Sequence, residues 1–263
     1  MIRFDSLVHV TRDGRWIDGK RDASYARLVR ELDRARVDRA CLVGLPAVVD
    51  NEFILECARA SGGRLVPVAG VDPAADGARG VAAAVAALAR AGFAGIKLHP
   101  RLGGYDPAGE CCLDAIRAAA SHGLVVFLDT LFRQKSRATA HAADVVDRIA
   151  HECAEAAIVL LHGGGAALLD VADVVRVNRA LVLDLSFTLL NYAGSSLDAD
   201  VRWVMERLDQ RVVIGSDMPE YTPEEAFTRA ECLADTLPAE KRMNIASRNL
   251  ERLFPIRQPS AVS

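Results

Sequence analysis

Lysine is nearly absent from this chain. It occurs only at positions 20, 97, 135 and 241, so 28 of the 32 basic side chains are arginine. The bias resembles a GC-rich coding preference, and it marks Lys97, the one lysine inside an apolar strand-like run, for attention. Positive charge in excess is also lacking. Thirty-two basic residues face 35 acidic ones, for a net charge of -3, which removes the electrostatic footprint of a nucleic-acid-binding surface. No uncharged run reaches the roughly 18 to 20 residues that span a bilayer, and Arg3 and Asp5 interrupt what would be a signal peptide's apolar stretch. The six cysteines, at 41, 57, 111, 112, 153 and 232, include no Cys-x-x-Cys pair, which argues against a zinc cluster or a disulfide framework. They read as buried thiols in a reducing compartment, and the expected location is cytoplasmic. No low-complexity linker divides the chain, so residues 1–263 read as one domain. The expected partner is a small-molecule substrate, with no nucleic acid and no membrane, and with self-association into a homo-oligomer left open.

Eight apolar, β-branched runs bounded by Gly, Pro or Asp recur along the sequence: Ile2 to Val10, Arg39 to Leu45, Leu65 to Val71, Gly95 to His99, Leu124 to Asp129, Ala157 to His162, Leu181 to Ser186 and Arg211 to Ser216. Amphipathic stretches lie between them, at Ser24 to Ala35, Val81 to Ala91, Cys112 to Ala120, Ala142 to Ala156, Ala199 to Leu208 and Pro223 to Thr236, with a terminal helix from Pro238 to Phe254. The runs are almost continuously apolar, as strands covered on both faces must be. An open doubly wound sheet would carry a Gly-rich phosphate turn after its first strand, and Val10-Thr11-Arg12-Asp13-Gly14 is not one. The expectation is therefore an α/β fold, a single (βα)8 TIM barrel with an additional C-terminal helix. Its chemistry should gather where the strands end.

Those ends carry Asp5 and His9, Lys97 and His99, Asp129, His162, Ser186 and Asp217. Acids and imidazoles converging on one barrel mouth make either a metal site or an acid/base constellation, because unpaired buried charge is costly. A Gly-x-Ser-x-Gly elbow is missing, so the His162-Gly163-Gly164-Gly165 string does not mark an esterase.

Through Phe4-Asp5-Ser6-Leu7-Val8-His9, Gly95-Ile96-Lys97-Leu98-His99-Pro100, Val126-Phe127-Leu128-Asp129-Thr130, Ile158-Val159-Leu160-Leu161-His162-Gly163-Gly164, Gly215-Ser216-Asp217-Met218-Pro219 and Asn249-Leu250-Glu251-Arg252-Leu253-Phe254, the chain resembles the amidohydrolase superfamily. The resemblance is to the amidohydrolase-related group of hydrolases, lactonases and non-oxidative decarboxylases. It implies a divalent metal, usually zinc, held by a His-x-His pair after strand 1, a histidine on strand 5 and an aspartate on strand 8, with a further histidine on strand 6. Here His9, His162 and Asp217 match, whereas Leu7 and Asp129 stand where ligand histidines would. Two readings follow. His9, Asp129 and Asp217 could still hold one divalent metal, zinc or, with so many carboxylates, manganese or magnesium. In the other, slightly preferred, the metal is gone and Asp217 is a bare general base.

Either way the expected reaction is hydrolysis of a small, anionic cyclic amide, lactone or ester. Asp217, His162 and Lys97 are the expected catalytic residues; His99, Arg101, Arg133, Arg137 and Ser186 are the expected substrate contacts. Decarboxylation or other carbon–carbon cleavage on the same barrel is the first alternative, and an inactive barrel serving as a binding subunit is the second. For Lys97 a purely structural ion pair with Asp129 is the competing explanation, and for Arg133 and Arg137 a solvated loop. His122, His141 and His151 read as surface residues.

Overall fold

The computed structural model describes residues 1–134, 137–138 and 141–255, with the side chains of 76–79, 133–134 and 137–138 outside that description. Eight parallel strands follow one another around a barrel: β1 (Phe4–Val8), β2 (Arg39–Val43), β3 (Leu65–Val71), β4 (Gly95–Leu98), β5 (Val125–Asp129), β6 (Ile158–Leu161), β7 (Leu181–Asp184) and β8 (Val212–Val213). Each pairs with its sequence neighbour, which is the (βα)8 TIM barrel expected. All eight runs are present, β3 with the expected bounds and the other seven trimmed at their ends. The helices are α1 (Tyr25–Arg34), α2 (Asn51–Ala60), α3 (Pro73–Ala91), α4 (Glu110–Ser121), α5 (Ala142–Glu152), α6 (Leu168–Val177), α7 (Leu197–Arg207) and α8 (Pro223–Leu233). Of these, α2 and α6 fill intervals for which the periodicity named no helix. A short antiparallel hairpin, Arg133–Gln134 against Arg137–Ala138, follows β5.

Local chemistry sets the helix starts. Ser24, Asp50 and Asp72 each accept a hydrogen bond from a first-turn backbone N–H, and Thr222 with Glu225 forms a capping box. Because Pro73 follows the Asp72 cap, α3 begins eight residues before the apolar periodicity becomes visible at Val81. The expected terminal helix runs without interruption from Ala239 to Leu253, with a π-helical segment at Asn244–Arg248.

Alternation along each strand sends one set of side chains outward to the helices and the other into the barrel. Leu42, Ile96, Leu98, Leu128 and Leu160 join the outer layer, while Leu7, Val43, Val68, Phe127, Leu161 and Val213 fill the interior. At the N-terminal end Phe254 enters this interior, with ring centroids 6.4 Å from Phe4 and 6.1 Å from Phe127. Cys41, Cys57, Cys112 and Cys153 are buried as expected, but Cys111 is half-buried and Cys232 is exposed on α8. A helical pattern around a cysteine does not say which face it occupies. Among the described residues no helix is long and apolar enough to cross a membrane.

The seam between β8 and β1 is the irregular part. β8 is two residues long, and the β1 register shifts between Asp5 and Val8. The seam is completed by Ser6 N–H to Ile214 O (2.9 Å), Asp217 N–H to Leu7 O (2.9 Å) and His9 N–H to Met218 O (2.8 Å). Asp5 Oδ1 accepts from Leu7 N–H and Ser216 N–H, both at 3.0 Å, so a carboxylate takes the place of a missing backbone acceptor. Burial raises the Asp5 carboxyl to about 7.

Two outcomes follow from this packing. Phe254→Ala should cost about 3 to 5 kcal/mol in denaturant unfolding, because the cavity opens against Phe4 and Phe127. Asp5 binds its proton more tightly folded than unfolded, so the stability it contributes is full below about pH 4 and is lost as pH rises to about 7. Asp5→Asn keeps the acceptor oxygen and cannot ionise. Its stability relative to the unsubstituted protein should therefore rise by up to about 4 kcal/mol between pH 4 and 7 and level off above. A difference independent of pH in parallel melts would contradict this.

Candidate active site

Two of the polar residues at the barrel mouth stand two positions after an interior apolar one. Asp129 follows Phe127 and His9 follows Leu7, so the same alternation that builds the core lifts these side chains into its upper layer. Lys97 lies lower, level with Gly70 on β3 and Phe127 on β5. It is 2% exposed.

The side chains fall into two groups. In the first, His9 Nδ1 is 2.6 Å from Val43 O, which fixes hydrogen on Nδ1 and leaves Nε2 3.5 Å from Asp217 Oδ1. Trp16 stacks on the His9 ring at 5.3 Å, and its indole N–H donates to Glu220 Oε1 at 2.9 Å. Arg21 pairs with the other oxygen of Glu220, so the loop after β1 is tied to the loop after β8 across this group. In the second group, Asp129 is wholly buried, and its Oδ2 is approached by His99 Nε2 at 3.3 Å, His162 Nε2 at 3.4 Å and Arg101 Nη2 at 3.5 Å. Its Oδ1 accepts from Leu131 N–H.

Lys97 belongs to neither group by contact. Among the described residues its amine has no hydrogen bond and no close ion pair, yet Asp217 and Asp129 both act on it electrostatically. Burial pushes the amine below the usual lysine range, against the pull of those two carboxylates. Burial would raise both acids as well. Asp217 is nonetheless held below the usual carboxylate range by His9, His162 and Lys97, and Asp129 well below it by His99, His162 and Arg101. His9 and His99 are pushed down by burial, His99 to about 3, so both are neutral. For His162 burial acts downward too, but Asp129 and Asp217 outweigh it and the imidazole stands above 6.5.

Behind His162 lies a polar layer. Asp184, on β7, accepts from His162 N–H (3.1 Å), Ser186 N–H (3.0 Å) and the hydroxyls of Ser186 and Ser6. His162 itself has a φ of 65°, in the left-handed region, as does Asp217 at 57°. Thr188 Oγ1 donates to His162 O at 2.6 Å, so both backbone groups of the strained residue are tied down. Three glycines follow with positive φ; a Cβ on Gly164 would lie 2.6 Å from Val171.

The residues expected from sequence are therefore brought to one mouth, although not all in their expected roles. Lys97 makes no close pair with Asp129; Arg101, His99 and His162 take that place. The Ser186 hydroxyl is turned to Asp184 and His162 and is fully buried, so it is not at hand for substrate. The Arg133 and Arg137 side chains lie outside the described residues, as does Lys135. His122, His141 and His151 are exposed as expected. Asp184, Trp16 and Glu220 were not anticipated. The alternation Val182, Asp184, Ser186 within one strand was the available signal for the first; the loop residues had none.

The expected metal ligands do not converge. His9 and Asp217 are on one side, Asp129 Oδ2 stands 3.3 to 3.5 Å from three nitrogens on the other without a formed hydrogen bond, and Leu7 offers no donor atom. Among the described residues no group of three or more His, Cys, Asp or Glu side chains is placed to hold an ion. A buried lysine amine acts on both His9 and Asp217, opposing a second cation there. The donor set does not fit the zinc site that the resemblance implies.

Solved structures share the fold. An uncharacterised TIM-barrel protein from Bordetella bronchiseptica superposes with a TM-score of 0.83 at 16% identity, covering 96% of this chain and 98% of the other. A probable 2-pyrone-4,6-dicarboxylic acid hydrolase from Acinetobacter baumannii, solved with citric acid, gives 0.71 at 16% identity, covering 97% and 99%. A 5-carboxyvanillate decarboxylase from Novosphingobium aromaticivorans, solved with manganese, gives 0.72 at 14% identity, covering 96% and 97%. No curated protein sequence matches. The amidohydrolase family profile, however, matches residues 16–256, nearly the whole chain, and the chain belongs to that family of enzymes.

Proposed function

We propose that this protein hydrolyses a small anionic lactone, or a comparably activated cyclic ester or amide, without a metal ion. The observation that carries the reading is Lys97, a buried amine within electrostatic reach of two ionised carboxylates and in close contact with neither. A cation so placed is available to an oxyanion that forms during reaction, in surroundings where water competes little. Asp217, held ionised, takes a proton from water as its oxygen attacks the acyl carbon. Negative charge then develops on the acyl oxygen, where Lys97 and His162 stabilise it. The acyl–oxygen bond breaks and the leaving oxygen recovers the proton, giving a ring-opened hydroxy acid. An activated lactone suits free water and a carboxylate base better than an ordinary amide does. Arg101 provides a guanidinium group for a substrate carboxylate, and Arg133 and Arg137 are assigned the same role from sequence. The A. baumannii protein of the same fold, a probable 2-pyrone-4,6-dicarboxylic acid hydrolase, is consistent with this class.

Turnover on a panel of carboxylated lactones and cyclic amides, followed by acid release with carbon dioxide monitored in parallel, tests the reaction. Acid without carbon dioxide is expected; stoichiometric carbon dioxide would assign a decarboxylase instead, and no turnover on any member would favour a binding subunit. On the active substrate, Asp217→Asn and Lys97→Met should each lower kcat by about 100-fold or more. Arg133→Ala and Arg137→Ala should raise KM, and unchanged KM in both would remove the hairpin from substrate binding. Protein purified without added metal should contain far less than one equivalent of zinc or manganese and keep its activity after chelation. Stoichiometric metal, lost together with activity, would overturn the metal-free reading.

A further inference from the structure

The His162 ring has two nitrogens in different surroundings. Nε2 faces Asp129 at the mouth, 3.4 Å away, while Nδ1 points back to Ser186, 3.1 Å from its hydroxyl oxygen and 3.3 Å from its carbonyl oxygen. The Ser186 hydroxyl hydrogen is already committed, because it donates to Asp184 Oδ1. The serine oxygen can therefore only accept from Nδ1. Its carbonyl can only accept as well, so Nδ1 must carry hydrogen; because Nε2 also faces a carboxylate oxygen, the ring suits all its neighbours as the imidazolium, protonated on both nitrogens.

From this arrangement we infer that Asp184, acting through Ser186, is the positioning residue of His162: it holds the imidazole with hydrogen on Nδ1 and Nε2 directed to the barrel mouth. The same carboxylate accepts the His162 backbone N–H at 3.1 Å, so it holds both the left-handed backbone and the ring of one residue. Its second oxygen is occupied by the Ser6 hydroxyl, which prevents the carboxylate from rotating away from Ser186. Space for the array depends on Gly215, where a Cβ would fall 2.5 Å from Ser6 Oγ and 3.1 Å from Asp184 Oδ2. Nothing in the array touches the mouth except the ring it aims.

Replacing Asp184 by asparagine reverses the logic at the serine. An amide nitrogen placed toward Ser186 donates to its oxygen, and the hydroxyl is then free to turn and donate to Nδ1, so the ring keeps hydrogen on Nε2 alone and gives up the positive charge that an oxyanion at the mouth would need. In Ser186→Ala the carbonyl alone still accepts from Nδ1, so a smaller change is expected.

The consequence for rate rests on the proposed role of His162 in the reaction, but the tautomer does not, and the two are measured separately. Imidazole nitrogen NMR on histidine-labelled protein at alkaline pH, where the ring is neutral, should show hydrogen on Nδ1 of His162 in the unsubstituted protein. Asp184→Asn should shift the population toward Nε2 and Ser186→Ala should give a mixture. On the active substrate, Asp184→Asn should lower kcat by about 10- to 100-fold with little change in KM, and should add nothing in a His162→Gln background. Hydrogen on Nε2 in the unsubstituted protein overturns the inference, as does a tautomer that neither Asp184→Asn nor Ser186→Ala alters. A shifted tautomer with unchanged kcat keeps the positioning role and instead removes His162 from the reaction. Should Asp184→Asn not fold, the Ser186→Ala spectrum decides: an unmixed Nδ1 tautomer counts against the role.

Discussion

A lysine amine enclosed by protein must have negative charge within electrostatic reach, and the upper half of this barrel is arranged around that requirement. Lys97 acts on Asp217 and Asp129 together, and those acids in turn need donors of their own. His162 and Arg101 supply charge to Asp129, and His162 also reaches Asp217 electrostatically; the neutral rings of His9 and His99 stand beside the two acids. The charges hold one another in place before any substrate arrives. A barrel end built this way does not have to reorganise when charge develops on a reacting atom, which is where protein electrostatics contribute most to rate.

The second layer of acids does structural work that the backbone leaves undone. β8 is too short to complete its ladders, and the interruption coincides with the residues that lead to Asp217. Asp5 and Asp184 accept the amide hydrogens that regular pairing would have used, from Leu7, Ser216, His162 and Ser186. Burial works against both carboxylates, so the irregular seam carries a cost in stability. Irregularity at the seam also lets Asp217 take left-handed backbone geometry, which a regular strand would not permit, and His162 takes it just past the end of β6.

Much of this was legible in sequence, for a physical reason. Strands covered on both faces must be apolar throughout, so eight of them stand out as runs, and the barrel then places every strand-end polar residue at one mouth. Lys97 was conspicuous because it breaks such a run. What the runs do not carry is pairing across the mouth: that Asp129 gathers two histidines and an arginine while His9 faces Asp217 depends on strand stagger and rotamers. Ser186 was visible as a strand-end hydroxyl, but its direction is set by Asp184, which passed unnoticed inside the apolar run Leu181 to Ser186. Trp16 sits in a loop without periodicity, and only the folded contact with His9 gives it meaning.

Phe254 closes the floor of the barrel against Phe4, a residue at the opposite end of the chain, and the β1–β8 seam likewise joins the first strand to the last. Contacts of such long sequence separation form late, because loop-closure entropy is lost before they repay it. As the chain emerges from the ribosome, β1 keeps an unpaired edge and an uncovered floor until β8 and Phe254 have been made. The loop Thr11 to Ala23 is bound by the same order of events. Glu220, which holds Trp16 over His9, is synthesised with the last strand, so the mouth cannot assume its final shape before the barrel shuts.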